Sequence, residues 1–274
     1  MLLFPNCKIN LGLNIVGVRP NGYHDLETVF YPLALADVLE IVFPENQTQE
    51  YVWQSSGIAL DIPEEKNLCI KALKLLKREY TIPPVAMHLR KNVPFGAGLG
   101  GGSSDAASVI TGLNMLLHLG MSTEKMCSIA AQIGADCPFF IINKPMSAEG
   151  IGEILKPINI HLKGRKILLV KPDVSMSTAE AYAQIECNKP ELGPADWVVT
   201  NIVNWKRRLT NDFEKPVFAR FPQLAQIKEQ LYASGATYVA MSGSGTAIYA
   251  IFDTTIPQHL KFADCFVWSG ELAY

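Results

Sequence analysis

Residues 8–16 alternate strictly, with Ile9, Leu11, Leu13 and Ile15 on one face and Lys8, Asn10, Gly12 and Asn14 on the other. A period of two predicts a half-buried strand that shows a polar face, not a core strand. The turn Arg19-Pro20-Asn21-Gly22 follows, and strands are predicted over 29–35 and 38–43, around Ala36-Asp37. Asn67 is placed to cap a helix reaching about Tyr80, with Leu68, Ala72, Leu75 and Leu76 on its apolar side. After Pro83-Pro84, alternation returns at Val85, Met87 and Leu89. A helix from about Ser103 keeps the helical period through Ala106, Val109, Ile110, Leu113 and Leu117. Another spans 123–133 and stops at Gly134.

Beyond Gly150-Ile151-Gly152 the pattern predicts a strand at 167–171 and helices at 178–185 and 224–233. Strands at 238–241 and 247–252 flank Ser242-Gly243-Ser244-Gly245. Strands and helices mix without a regular β-α-β alternation, which favours α+β over a doubly wound sheet. A soft boundary near Glu153 divides the chain into domains 1–152 and 153–274.

Composition narrows the class. The 274 residues are 49% hydrophobic and 18% charged, with a net charge of −2, so there is ample core and no acidic or basic tract. That balance argues against a nucleic-acid or membrane-surface partner. Lys206-Arg207-Arg208 is the tightest basic cluster and reads as a solvated helix end. The six cysteines form no C-x-x-C pair and are too dispersed for a zinc site or disulfide scaffold. Pro5, Asn6 and Lys8 interrupt any signal-peptide pattern, and no apolar run is long enough to span a membrane. A reduced, cytoplasmic protein is expected.

The segment Pro94-Phe95-Gly96-Ala97-Gly98-Leu99-Gly100-Gly101-Gly102-Ser103-Ser104-Asp105-Ala106-Ala107 holds five glycines in seven positions. Glycine at that density is entropically costly, and makes sense where backbone amides must approach a ligand. A helix begins just after it, and its unsatisfied N–H groups and dipole favour an anion. Together they form a candidate phosphate cradle. Ser103 or Ser104 could cap the helix, bind a phosphate oxygen or ligate magnesium. Gly96-Ala97-Gly98-Leu99-Gly100-Gly101 also fits a dinucleotide fingerprint, but the preceding strand is amphipathic, with His88 and Arg90 on its polar face. The P-loop pattern fails because Gly102 stands where its lysine belongs. Lys91 precedes the loop and could reach nucleotide or substrate phosphates. Gly243, Ser244 and Gly245 offer a second anion site or a plain hairpin turn.

The segment 94–107 resembles the central ATP-binding motif of the GHMP kinases (galactokinase, homoserine, mevalonate and phosphomevalonate kinases). Lys8-Ile9-Asn10-Leu11, Arg19-x-x-Gly22-Tyr23-His24, Gly134-Ala135-Asp136-Cys137-Pro138 and 174–182 narrow the resemblance to one branch. That branch works on a cytidyl-linked methylerythritol. Ser242-Gly243-Ser244-Gly245 is similar to the family's third motif. Cys7, where members often carry alanine, and Asn21, where aspartate is common, depart from the pattern.

The resemblance implies an α+β, two-domain GHMP kinase fold, with a ribosomal-S5-like amino-terminal domain and a ferredoxin-like carboxy-terminal one. It implies ATP-dependent phosphorylation of the 2-hydroxyl of 4-diphosphocytidyl-2-C-methyl-D-erythritol, with Mg²⁺ accompanying ATP. The implied partner is a small-molecule cytidyl substrate. No carboxylate cluster suggests a protein-built metal cage. By resemblance Asp136 is the general base and Lys8 faces it, while Asn10 holds a substrate polar group. Tyr23 and His24 recognise cytosine, and Thr178 and Tyr182 form the opposite wall, with Tyr182 facing Tyr23. From residues alone, Asp136 is equally a turn aspartate bonding its own backbone. The rival readings are a homoserine or mevalonate-type kinase, and a non-catalytic RNA-binding module suggested by the ribosomal-protein architecture. Acidic balance and the lack of a basic stripe argue against the latter.

Overall fold

The alternating first strand is longer and more buried than its pattern predicts. It runs Asn6–Val18, and every position from 7 to 15 is buried, the polar face included. That polar face does not meet solvent: Lys8 is 3% exposed and Asn10 2%. Polar side chains survive such burial only when hydrogen-bonded. Here Nζ of Lys8 donates to Oδ1 of Asn10 at 2.6 Å, and Nδ2 of Asn10 donates to Oγ1 of Thr28 at 3.0 Å.

The computed structural model describes residues 1–45, 48–59, 62–185, 187 and 189–274. They form two compact units, each discontinuous in sequence, whereas the patterning predicts a single cut near residue 153. The first comprises Met1–Cys7, Leu35–Phe95 and Gly100–Lys144. Its sheet has the strand order Leu2–Leu3, Val38–Val42, Val85–Lys91, Tyr51–Gly57. Val85–Lys91 is antiparallel to Val38–Val42 and parallel to Tyr51–Gly57. Helices Leu68–Glu79 and Gly101–Leu116 share a core with this sheet, where Leu39, Ile41, Leu73, Leu76, Met87, Val109 and Ile110 meet. Asn67 caps the first helix as its sequence position predicts, Oδ1 accepting the N–H of Cys69 at 2.9 Å.

The second unit comprises Lys8–Ala34, Gly96–Leu99 and Pro145–Tyr274. Most of one sheet lies in it, ordered Asn6–Val18, His24–Ala36, Met146–Glu149, Ile154–Pro157. Another is wholly antiparallel, ordered Tyr238–Met241, Ile248–Phe252, Lys166–Pro172, Cys265–Glu271. Counted along the chain that order is 2-3-1-4, the ferredoxin-like arrangement the resemblance implies. Helix Pro222–Ala233 joins its first and second strands after several shorter helices, and buries Leu224, Ile227 and Leu231 in the same core as Val170, Val239 and Ile248. Residues 253–264, between the third and fourth strands, carry no helix.

Candidate functional site

In the first unit, the glycine-rich segment turns into helix Gly101–Leu116 at Gly100, whose φ of +68° is left-handed. No side chain caps this helix and no acidic residue lies in its first turn, so the dipole and first-turn amides suit an anion. Neither serine acts as the cap, one of the roles open to them. The Ser104 N–H donates to Gly100 O at 3.0 Å, and the Ser104 side chain is buried. Ser103 is half-buried and lies near the Cys137 thiol. Burial pushes that thiol up to about 12, with Ser103 opposing the shift and Asp136 adding to it. Asp136 is half-buried at the start of helix Cys137–Ile142, and its side chain does not cap that helix.

Lys91 is corrected by its surroundings. Its ammonium is 1% exposed and lies between Asp37 and Asp105, at 2.7 Å from Oδ2 of Asp105, not in a position open to a ligand phosphate. The β-strand period directs this residue inward with Val85, Met87 and Leu89, and two buried carboxylates receive it. Asp37 also accepts the backbone N–H groups of Asn92 and Val93, at 2.6 and 2.8 Å, and so holds the chain entering Pro94. Pro94 is buried, while Phe95 and Gly96 are exposed.

In the second unit, residues 96–99 are stitched to the first strand and to the late glycine turn. The Lys8 N–H donates to Leu99 O at 3.0 Å, and Nζ of Lys8 donates to Gly98 O at 3.1 Å. Oγ of Ser242 donates to the same Gly98 O at 2.8 Å and accepts the Asn10 N–H at 3.2 Å. Ala97 and Leu99 are buried, and the Ala247 N–H donates to Ala97 O at 3.2 Å. Gly98 has φ of +72°, and a Cβ there would lie 1.9 Å from Ser242 O. Gly243, Ser244 and Gly245 connect strands whose register closes at Met241 opposite Ile248, so they do form a hairpin loop. The loop is braced as well: Nδ2 of Asn211 donates to Met241 O and Gly243 O, at 2.8 Å each.

The aromatic residues meet differently from the implied pairing. The His24 ring lies against Tyr182, with centroids 4.6 Å apart and planes tilted by 31°. Tyr23, the expected facing ring, is 58% exposed. Tyr182 rests edge-on against Phe213 at 4.9 Å. A capping box between Ser177 and Glu180 starts the short helix Thr178–Tyr182, and Oγ1 of Thr178 lies 3.5 Å from Oγ of Ser244.

Several supporting residues lack any sequence signal. Thr28 bonds Asn10 and Gly12, Asn211 bonds the carbonyls of Met241 and Gly243, and Asp37 bonds residues 91–93, all partners outside any local motif or period. Asp105 lies inside the glycine-rich motif, yet nothing in its spacing points to Lys91. Among the described residues, no three His, Cys, Asp or Glu side chains gather as a metal site, and no helix is long and apolar enough to cross a membrane.

Residues 67–144 match the GHMP kinases N terminal domain, and residues 199–260 match the GHMP kinases C terminal domain. A 4-diphosphocytidyl-2-C-methyl-D-erythritol kinase of Parabacteroides distasonis is 47% identical, over 100% of both chains. The chain belongs to the GHMP kinase family. It is an ATP-dependent small-molecule kinase with the family's two-domain α+β fold. A Bacteroides fragilis kinase of the same name is 48% identical over 92% of each chain. Among solved structures, a 4-(cytidine 5'-diphospho)-2C-methyl-D-erythritol kinase superposes with a TM-score of 0.82 at 30% identity, covering 100% of both chains. The mevalonate kinase of Methanococcus jannaschii matches this GHMP kinase in fold alone, with a TM-score of 0.71 at 16% identity over 100% of this chain and 98% of its own.

Proposed function

We propose that this GHMP kinase transfers the γ-phosphate of ATP to the 2-hydroxyl of 4-diphosphocytidyl-2-C-methyl-D-erythritol, giving the 2-phosphate and ADP for non-mevalonate isoprenoid synthesis. The observation that carries the substrate is end-to-end likeness, at 47% identity, to a kinase of that name. The pairing of His24 with Tyr182 supports a site for a flat base, because aromatic rings stack on a pyrimidine face. In this reading cytosine enters between Tyr23 and Tyr182, displacing His24 from its ring contact into a hydrogen-bonding role. Thr178, Ser244 and the amides of Gly243 and Gly245 hold the polar part of the substrate.

Phosphoryl transfer depends on positioned phosphates, neutralised charge and an oriented hydroxyl. The amides of Gly96–Gly102 and the uncapped helix entrance supply the first, with Pro94, Phe95, Ala97 and Leu99 shaping the loop. Asp136 is the proposed base for the hydroxyl proton, and Lys8 stabilises the developing alkoxide. Asn10, bonded to Lys8, positions that ammonium. Mg²⁺ would accompany ATP and neutralise phosphate charge, and the half-buried Ser103 would be its candidate protein ligand. Six unbridged cysteines fit a reducing, cytoplasmic setting.

The test is ADP release over a panel of the cytidyl alcohol, homoserine and mevalonate. Turnover confined to the cytidyl alcohol is expected. Turnover of another alcohol with none of the cytidyl substrate would overturn the assignment.

A further inference from the structure

Residues 194–208 carry none of the family motifs, yet they build a basic, half-open surface cavity. Helix Pro194–Val198 and the 3₁₀ turn Ile202–Arg207 contribute to a space of about 550 Å³ lined by Trp197, Val203, Asn204, Lys206, Arg207 and Arg208. Three cations face this space and no carboxylate lines it. Among the described residues, none of the three is in an ion pair.

Aromatic faces hold two of them instead. The Arg208 guanidinium lies 5.2 Å from the Trp197 ring centroid, and the Lys206 ammonium lies 4.2 Å from that of Tyr232. A cation–π contact orients a charge without neutralising it and uses none of its N–H donors. Lys206, Arg207 and Arg208 are all solvent-exposed, so three adjacent like charges are hydrated but have no protein counter-charge, in a chain whose net charge is −2. A position at the carboxy-terminal end of the 3₁₀ turn accounts for Lys206 and Arg207 as a solvated end. It does not account for the cavity, or for Arg208 being stacked at its wall.

We propose that this cavity binds a small phosphorylated molecule carrying at least two phosphate groups. Two guanidinium groups and an ammonium carry three positive charges, more than the charge of at most about −2 on one phosphate group balances. Trp197 and Val203 give an apolar wall for the organic part, and the Asn204 amide adds a neutral donor. The lining shares no residue with the glycine loop or the His24–Tyr182 pair, so the site is additional to the kinase site. Three cations in one concavity suit a compact polyanion better than the extended stripe a nucleic acid follows.

The test uses the full chain labelled with 5-fluorotryptophan, its kinase site saturated with a non-hydrolysable ATP analogue. The Trp197 fluorine signal is assigned by its loss in Trp197→Phe. Pyrophosphate is titrated at constant ionic strength, with sulfate as the comparison anion. A saturable shift of the Trp197 signal is expected, absent in Arg207→Gln/Arg208→Gln and weakened in Arg207→Gln, which leaves the Arg208–Trp197 stack intact. Kinase turnover of these variants should be unchanged. No saturable shift, a shift surviving both substitutions, or an equal response to sulfate would overturn the proposal. A response to an acidic peptide or short RNA at lower concentration than to pyrophosphate would overturn it in favour of a macromolecular surface.

Discussion

Oδ2 of Asp105 lies 2.7 Å from Nζ of Lys91, one turn into the helix that follows the glycine loop, while Oδ1 of Asp105 is buried with no hydrogen-bond partner. Asp37 shares the same ammonium, so two buried carboxylates face one cation. Burial pulls the Lys91 pKa down, but Asp105 and Asp37 outweigh it and hold the ammonium above its ordinary value. Burial pushes the Asp105 carboxyl up, Lys91 opposes it, and Asp37 adds to the rise, to about 7.

The sign of the consequence is fixed by linkage. Between the ordinary carboxyl value of about 4 and about 7, the folded chain holds a proton at Asp105 that the unfolded chain has released. Asp105 therefore contributes a stability that is full at low pH and declines as pH rises toward about 7. Asp105→Asn keeps the shape and the Lys91–Asp37 pair while removing the titration. Urea midpoints of the parent should fall relative to those of the variant between pH 5 and 7.5. Parallel pH profiles for the two proteins would show that Asp105 does not titrate there.

Asp136 is tested by separating chemistry from binding. Asp136→Asn should lower kcat by about 10²–10⁴, the usual contribution of a positioned base. Affinity for an ATP analogue should stay within about twofold, because the phosphate cradle is built from other residues. Since the Asp136 side chain does not cap its helix, the substitution removes no cap that could mimic a catalytic loss. Near-normal kcat in this variant would exclude Asp136 as the base.

Most of the scaffold is legible from period and punctuation. Val85–Lys91 falls where alternation places it and Tyr238–Met241 where an apolar run before the Ser242–Gly245 turn does, and Asn67 and Gly134 mark helix ends by chemistry local to the chain. Tyr51–Gly57 escapes because Tyr51 and Trp53, which pack against the core, are followed by polar Gln54, Ser55 and Ser56 that cut the alternation short, and its parallel pairing to Val85–Lys91 supplies what the sequence does not show. Cys265–Glu271 is similarly masked by exposed positions on an edge strand. At the site, the glycine loop announces itself through composition, whereas its supports do not. Lys8 and Lys91 share the pattern of a lysine on an alternating strand, and both are buried among polar partners, neighbouring Asn10 with distant Gly98 in one case and Asp37 with Asp105 in the other. Alternation reports which residues share a face, but not whether that face meets water.

Tyr182 is the test of the cytosine reading. Tyr182→Leu retains an apolar side chain against Phe213 while removing the ring that meets His24. The KM for the cytidyl alcohol should rise about tenfold, equivalent to ~1.4 kcal/mol and within the range of a lost aromatic contact. The KM for ATP and kcat should change little, measured by ADP release with each substrate varied in turn. Equal rises in both KM values would point to general loosening of the unit, not to base recognition.

Gly98 and Gly96 provide a matched pair for the loop. Both have left-handed backbones, φ +72° and +61°, so alanine at either position incurs backbone strain of about 1 kcal/mol. Their surroundings differ. A Cβ on Gly96 meets nothing within 4 Å, whereas one on Gly98 falls 1.9 Å from Ser242 O and 3.1 Å from the Gly245 N. The latter contact is with backbone, which cannot swing aside as a side-chain tip can. Relief requires residues 96–99 to part from the Ser242–Gly245 turn, breaking the hydrogen bonds that Gly98 O accepts from Lys8 and Ser242. Gly98→Ala should therefore lose at least about 2 kcal/mol more stability than Gly96→Ala in urea unfolding, given the cost of broken buried hydrogen bonds. It should also weaken ATP-analogue affinity well beyond the Gly96 variant, measured by calorimetry. Equal losses in the two variants would mean that backbone strain alone constrains the loop and that its contact with the late glycine turn is dispensable.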